Sequence, residues 1–540
     1  MRRRPPQPQK TSSRKPPDRS ARRPTHGVPV ASPGAEMDAL LGLVVAAIVL
    51  TAQLRLADGE LMSPDAAGYL DIARRFWMHG SLSTGFNPYQ FWPGATHPFL
   101  PYVQPLYPIL VGWTAVLGGI HAMIVANLIL FAAACGILTA LSARFAGRVT
   151  AVLAGLLIGF SSIALYSAMH PWTEPLHLLV LLGAIAAFAR PRTPRVAVGA
   201  ILGASALIRF AGVHNAAALI LAVPFVRGWN ARALREAVVI LAGFLAVTVS
   251  YEAFCLLRYG ALYPEYLAAS RSWAIAAESG GGSFRHALPA LVVHGPRVPV
   301  GLLLAQGFAH VRELVHVLGW GAPLALAAVA ALFGPLRREP VFTVFVVQGI
   351  ASLFAISASF AWLETIEPER YALVSFITLV PAGLAALRFA ARALAKPHPV
   401  AIEWGWGAAV ALLFAWSLTG WTGFMRVYGV GIPPEAEAFA TERNQVAAWV
   451  REHSTPDELI ASDLLQDPAL TERSVVALPR GKQLDPEHAL DEFLAVWSPR
   501  LILTGSGDVA RVLAGESAYR PAVRSAHLYV LERTAPPPPR

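Results

Sequence analysis

The chain has 540 residues, 55 % of them hydrophobic and 14 % charged, with a mean hydropathy of +0.49. This excludes an ordinary soluble enzyme, which carries about a quarter charged residues. The two cysteines, Cys135 and Cys255, both sit in apolar runs, which excludes a disulfide framework or a cysteine metal site. The net charge of +10 comes from arginines in the N-terminal tail and in short connections between apolar runs, so it reads as membrane topology and not as a nucleic-acid surface.

Residues 1–36 are rich in Arg, Pro and Ser and are expected to form a disordered basic tail. Their charge places the N-terminus in the cytoplasm. The run Ala39–Leu54 reads as a retained first span, because its basic lead is too long for a signal peptide and no clear cleavage signal follows. Next comes an external loop, 55–120. Within it Ala66–Met78 is predicted helical, with Tyr69, Ile72 and Phe76 on one side, lying at the membrane interface. Aromatic residues crowd this region, as they do at headgroup level.

The run Val103–Ile120 is nearly long enough to cross, and the later connections decide whether it does. Those containing Arg144 and Arg148, Arg190–Arg195, Arg227–Arg235, Arg337 and Arg338, and Arg388–Lys396 are all basic. Every one lands in the cytoplasm if Val103–Ile120 stays outside the membrane core, and every one lands outside if it crosses. The expected fold is therefore an all-α polytopic membrane domain over 37–420, of about eleven spans plus juxtamembrane helices. A second long external loop is expected over 258–316, with an amphipathic helix at 302–316.

From Pro433 the composition becomes that of a soluble domain. Glu435–His453 is predicted helical, and Leu459–Ala461, Ser474–Leu478, Leu501–Leu503 and Leu528–Leu531 read as strands. The alternation predicts a small external α/β domain over 421–533, followed by a tail, 534–540.

This topology puts Asp65, Glu174, Arg209, His97, His170 and the run Glu369–Arg370–Tyr371 on the external side. Ionisable groups at a membrane are costly and mark candidate sites. Asp65 reads either as the N-cap of the 66–78 helix or as a catalyst. Glu174 reads as a first-turn carboxylate favoured by the helix dipole or as a site residue. Arg209 lies inside the apolar run ILGASALIRFAGVHN; it either snorkels to headgroups or meets an anion, with a lipid phosphate, Glu174 and Asp65 as the candidates. Arg370 is an interfacial anchor or a second anion ligand. His97 and His170 stand alone, without metal-ligand spacing.

Several of these motifs, in this order, resemble those of the GT-C membrane glycosyltransferases, in particular the bacterial group related to protein mannosyltransferases and to the aminoarabinose transferase of lipid A. The acid near a tyrosine after the first span resembles Asp65-Ala-Ala-Gly-Tyr69. A His/Tyr-Pro-Pro-Leu segment in a juxtamembrane helix resembles Gln104-Pro105-Leu106-Tyr107, with Gln104 replacing the usual residue. A second acid at a later helix start resembles Glu174, a basic residue in a span resembles Arg209, and an external Arg-Tyr resembles Arg370-Tyr371.

The resemblance implies transfer of a glycosyl group from a polyprenyl-phosphate-linked sugar to a glycan, lipid or protein acceptor at the external face of the bilayer. Asp65 would be the base and Glu174 its catalytic partner. Arg209 and Arg370 would bind the donor phosphate. Tyr69, His97, Gln104, Tyr107, His170 and Tyr371 would contact substrate. No cofactor is certain; a divalent cation shared by Asp65 and Glu174 is an open option, and two carboxylates do not establish a metal site. The rival readings are a flippase for polyprenyl-linked glycans and an oligosaccharide transferase using a lipid diphosphate. No internal repeat of the transporter kind is evident, and the polar candidates gather at one face.

Overall fold

In a hydrocarbon environment the backbone must satisfy its own hydrogen bonds, and the apolar runs do so as helices. The computed structural model describes residues 33–55, 64–87, 101, 103–259, 321–360, 368–394, 399–428, 434–463, 467–478, 490, 493–495, 497–505, 507, 509–510 and 518–534. His97, the tail before residue 33 and the 302–316 helix lie outside them.

Helix α1 (Pro33–Leu54) precedes helix α2 (Pro64–His79) and a two-residue strand β1 (Phe86–Asn87). The bundle continues with α3 (Trp113–Ala146), α4 (Arg148–Gly159), α5 (Ser162–Met169), α6 (Glu174–Ala189), α7 (Arg195–Ile208), α8 (Ala211–Arg227) and α9 (Ala231–Tyr259). It resumes with α10 (Gly321–Ala331), α11 (Pro340–Phe360), α12 (Pro368–Leu394) and α13 (Pro399–Tyr428). Among the described residues, four stretches are long and apolar enough to cross a membrane alone: Gly34–Leu54, Pro108–Ala146, Ala231–Tyr259 and Ala372–Leu394.

Pro108–Ala146 has 39 residues, and at 1.5 Å per residue it would reach about twice the thickness of a hydrocarbon core. It does not run straight. A π-helical turn, Pro108–Gly112, opens it, and the backbone leaves helical geometry at Gly118 and Gly119, the latter at φ +73°. Glycine tolerates that conformation without a Cβ clash. The break divides the segment expected to stay outside the core from the helix that follows. The apolar run 152–169 is likewise interrupted, at Phe160–Ser161, where the Ser161 hydroxyl caps α5 by accepting the Ala164 N–H at 3.4 Å.

Small residues let the helices approach closely. Gly42 of α1 meets Gly136 of α3, where a Cβ on either would collide with the other's carbonyl oxygen. Fully buried Phe131, Phe188, Phe342 and Phe345 fill the centre.

The basic connections gather at one end. Arg148 pairs with Asp38 at 2.8 Å, joining α4 to α1. Arg195 and Arg227 share Glu236 at 2.7 and 3.5 Å, joining α7, α8 and α9. Arg388 pairs with Glu403 at 2.7 Å and donates to the Ala146 carbonyl.

Helix α13 continues to Tyr428, past the boundary expected at 420. Helix α14 (Pro434–His453) then leads into β2 (Leu459–Ser462), α15 (Asp467–Thr471), β3 (Ser474–Ala477), β4 (Leu501–Thr504), β5 (Tyr519–Arg524) and β6 (Tyr529–Arg533). The sheet order is β1-β3-β2-β4-β6-β5, parallel from β1 to β4 and antiparallel beyond. Val446 and Val450 of α14 pack with Ile460, Val475, Leu501 and Val530, while Phe493 and Leu490 pack with Ala461, Val476, Ile502 and Leu531, so each set of alternate strand residues has its own apolar cluster. Two strands of this sheet, β5 and β1, were not expected. β1 comes from the loop after α2 and pairs with β3 in register Phe86↔Val475 and Asn87↔Val476.

Candidate active site

The segment His170-Pro171-Trp172-Thr173 turns the chain into α6, whose first residue is Glu174. On the neighbouring hairpin, α7 ends at Ile208 and Arg209 is extended, at φ −155° and ψ 139°, before α8 begins. Gly212 makes this turn, since a Cβ there would overlap the Ser205–Ala206 backbone. The turn aims Arg209 at the α6 N-terminus, where it forms an ion pair with Glu174; the side chains are 12 % and 3 % exposed. Snorkelling to headgroups is therefore not what this arginine does. Pairing removes the cost of two isolated buried charges, and the helix dipole further favours the carboxylate.

Behind the pair lies a cavity of about 30 Å³, room for about one water, lined by Glu174, His177, Arg209, His214, Asn215 and Ser352 among others. His177 is one turn below Glu174 on α6. Its Nε2 is 2.7 Å from Asn215 Nδ2 and its Nδ1 is 3.0 Å from Ser205 Oγ. Asn215 Oδ1 accepts from Gln348 Nε2 at 2.5 Å and from Ser352 Oγ at 3.0 Å, which fixes the amide orientation. Asn215 Nδ2 therefore donates to His177 Nε2, and the imidazole carries its proton on Nδ1, toward Ser205. This network ties α6, α7, α8 and α11 together beneath the ion pair.

A second chain of contacts runs from α2. Tyr69 is buried edge-to-face against Tyr107, with centroids 4.7 Å apart. The Tyr107 hydroxyl donates to Asn127 Oδ1 at 2.8 Å, and Asn127 Nδ2 donates to the carbonyls of His170 and Trp172 at 2.8 and 3.0 Å. The His170 ring stacks on Trp172 at 4.5 Å. Tyr69 and Tyr107 thus support the turn ahead of Glu174. Asp65 sits half-buried in the first turn of α2, one turn before Tyr69 on the same face. Gln104 is half-buried just ahead of Tyr107. Arg370 and Tyr371 lie in the first turn of α12, with side chains outside the described set.

The C-terminal sheet holds the other end of α2. Asp71 accepts from Arg75 Nε at 3.0 Å, Thr84 Oγ1 at 3.0 Å and the Gly85 N–H at 2.6 Å. The Val475 N–H donates to the Gly85 carbonyl at 2.6 Å, and Arg74 donates to the Ala469 carbonyl at 2.6 Å. The helix bearing Asp65 is therefore packed on the bundle and bonded to the sheet.

Sequence reasoning missed Asn127, His177, Asn215 and Gln348. Asn127, His177 and Gln348 are single polar residues within apolar stretches and Asn215 follows His214 in another, the signal that picks out intramembrane candidates. The residues present do not make a cation cage: among the described residues no three His, Cys, Asp or Glu side chains converge, and the Glu174 carboxylate is engaged by Arg209.

No protein-family model matches this chain, and no curated protein sequence matches it significantly. Solved structures do. ArnT from Cupriavidus metallidurans bound to undecaprenyl phosphate aligns over 91 % of this chain and 97 % of its own, with TM-score 0.56 and 15 % identity. The archaeal oligosaccharyltransferase AglB from Archaeoglobus fulgidus, in complex with an inhibitory peptide and a dolichol-phosphate, aligns over 88 % of this chain and 72 % of its own, with TM-score 0.54 and 13 % identity. At such identities the likeness speaks for the fold. The chain has the GT-C fold of membrane glycosyltransferases.

Proposed function

We propose that the protein transfers a pentosyl or hexosyl group from a polyprenyl-phosphate donor to a glycan, lipid or protein hydroxyl, with inversion, at the extracytoplasmic face of a bacterial inner membrane. The observation that carries this reading is the buried Glu174–Arg209 pair at the end of the bundle opposite the basic connections. Asp65 takes the proton of the acceptor hydroxyl as its oxygen attacks the anomeric carbon. The bond from that carbon to the phosphate oxygen breaks, and polyprenyl phosphate leaves with the electron pair. Arg209, oriented by Glu174, would place its positive charge against the departing phosphate. Arg370 would add a second positive charge. Tyr69, Gln104, Tyr107, His170 and Tyr371, with His97, would line or support the sugar and acceptor sites. The basic connections and N-terminus would face the cytoplasm, and the C-terminal sheet the exterior.

Transfer of a single sugar is favoured over transfer of an oligosaccharide from a lipid diphosphate because the alignment spans nearly all of ArnT but only 72 % of AglB. A flippase would need polar groups through the membrane depth; here the charged pair and Asp65 lie toward one end. The test is release of undecaprenyl phosphate from undecaprenyl-phosphate-linked pentoses and hexoses by the reconstituted protein, supplied with cell-envelope acceptor fractions. Turnover is expected with one donor class; none with any monophosphate donor, but turnover with a diphosphate-linked oligosaccharide, would replace this reading by the second.

A further inference from the structure

At the basic end of the bundle, remote from Glu174 and Arg209, an open trough of about 1230 Å³ runs between α1 and α3. The close Gly42–Gly136 approach lies along it, and Leu43 and Ile137 are among its lining side chains. The trough follows α1 from Gly34 to Leu50, roughly 24 Å at 1.5 Å per residue, and so passes the middle of a hydrocarbon core of about 30 Å. Two arginines from different helices stand at its end: Arg144 from the last turn of α3, and Arg190 from the C-terminus of α6.

The charges there are unevenly satisfied. Arg148, Arg195, Arg388 and Arg392 at the same end each have a carboxylate partner. Asp38, the acid lining the trough, is taken by Arg148. Arg144 and Arg190 have no carboxylate partner among the described residues and are exposed. An apolar trough inside the bilayer, ending at two uncompensated cations at headgroup level, has the chemistry of an anionic lipid.

We infer that this trough binds an anionic phospholipid of the leaflet at the basic end, with its phosphate bridging Arg144 and Arg190 and one acyl chain lying along α1 and α3. The basic tail, residues 1–32, is the competing occupant from the same chain, but its charge repels it from two arginines. The bound headgroup ties α3 to α6, the helix that begins with Glu174. The inference does not rest on the proposed chemistry, since the site is at the other end of the bundle.

The test is native mass spectrometry of the full-length protein titrated with phosphatidylglycerol and with phosphatidylcholine of the same acyl chains. Phosphatidylglycerol is expected to bind tighter. R144A/R190A should lower its affinity about twenty-fivefold, about fivefold for each arginine, leaving phosphatidylcholine binding unchanged. A133F, which fills the trough without touching charge, should weaken phosphatidylglycerol as well; monodispersity and helical circular dichroism show that each variant is folded. Equal affinity for the two lipids, or wild-type affinity in the double variant, overturns the site. Loss in the double variant with no effect of A133F reduces it to a surface charge patch and overturns the trough. Tighter phosphatidylglycerol binding on deleting residues 1–32 would make the tail the occupant and also overturns it.

Discussion

Removing one partner of the Glu174–Arg209 pair should cost far more than removing both. The side chains are 3 % and 12 % exposed, so solvent screening relieves little of the cost of a single charge left behind. A buried ion left without its partner costs about 3–5 kcal/mol, whereas a buried pair replaced by neutral groups of similar volume is often near neutral. Arg209→Met leaves the carboxylate of Glu174 at a helix N-terminus, where the dipole offsets part of the loss. Glu174→Gln leaves a guanidinium beside the His177 network at a helix N-terminus, whose dipole disfavours a cation, and is expected to be the worse single change. The double variant should recover most of the loss, with a coupling energy of at least about 2 kcal/mol. The assay is the heat-induced loss of monodisperse protein in one detergent at one heating rate, which keeps irreversible midpoints comparable. The expected order is wild type, double variant, Arg209→Met, Glu174→Gln. Additive losses, or single variants with the wild-type midpoint, would refute the claim that the two charges stabilise one another.

Asp71 receives two side-chain donors and one backbone donor, so Asp71→Ala should destabilise the α2–β1 connection by about 1.5–3 kcal/mol; hydrogen exchange at Gly85 and Val475 should rise, and unchanged protection would mean that the strand pairing holds without it. In the C-terminal domain, burial alone would push the Glu442 carboxyl up, but the hydrogen bonds it accepts from Ser525 and from the His527 backbone and ring hold it at about 2. Its folded value is depressed, so its contribution is full above the ordinary value of 4.5 and fades as pH falls toward 2; the stability gap between wild type and Glu442→Gln should close over that window, and a gap that widens there would contradict the sign. Cysteines introduced at Arg520 and Thr193 should be labelled by impermeant reagents from the exterior and the cytoplasm respectively, the native thiols being buried; the reverse pattern would invert the topology.

Much of the bundle was legible because hydropathy and arginine placement act over whole helices. The basic connections predicted a common end, and the ion pairs of Arg148, Arg195 and Arg388 gather there. The same reasoning separated Val103–Ile120 from the next helix, and the Gly118–Gly119 break lies at that point. Arg209 was recognisable as a charge needing an anion, yet choosing Glu174 over a phosphate needed the α7–α8 turn, which depends on a clash at Gly212 that no local pattern records. β1 was invisible for a different reason: two residues carry no alternation, and the strand exists because Gly85 and Phe86 find an open sheet edge far along the chain. His177 and Asn215 read as polar interruptions of apolar runs, and their partnership is a tertiary fact.

The central claim is that Asp65 is the base of a polyprenyl-phosphate-dependent transfer. Its most direct test compares wild type with Asp65→Asn in proteoliposomes carrying an undecaprenyl-phosphate-linked sugar that the wild type turns over, measuring donor binding and undecaprenyl phosphate release together. The account predicts loss of release by at least about a hundredfold, the lower range for a general base, with donor affinity retained. Wild-type release by the Asn variant would contradict it.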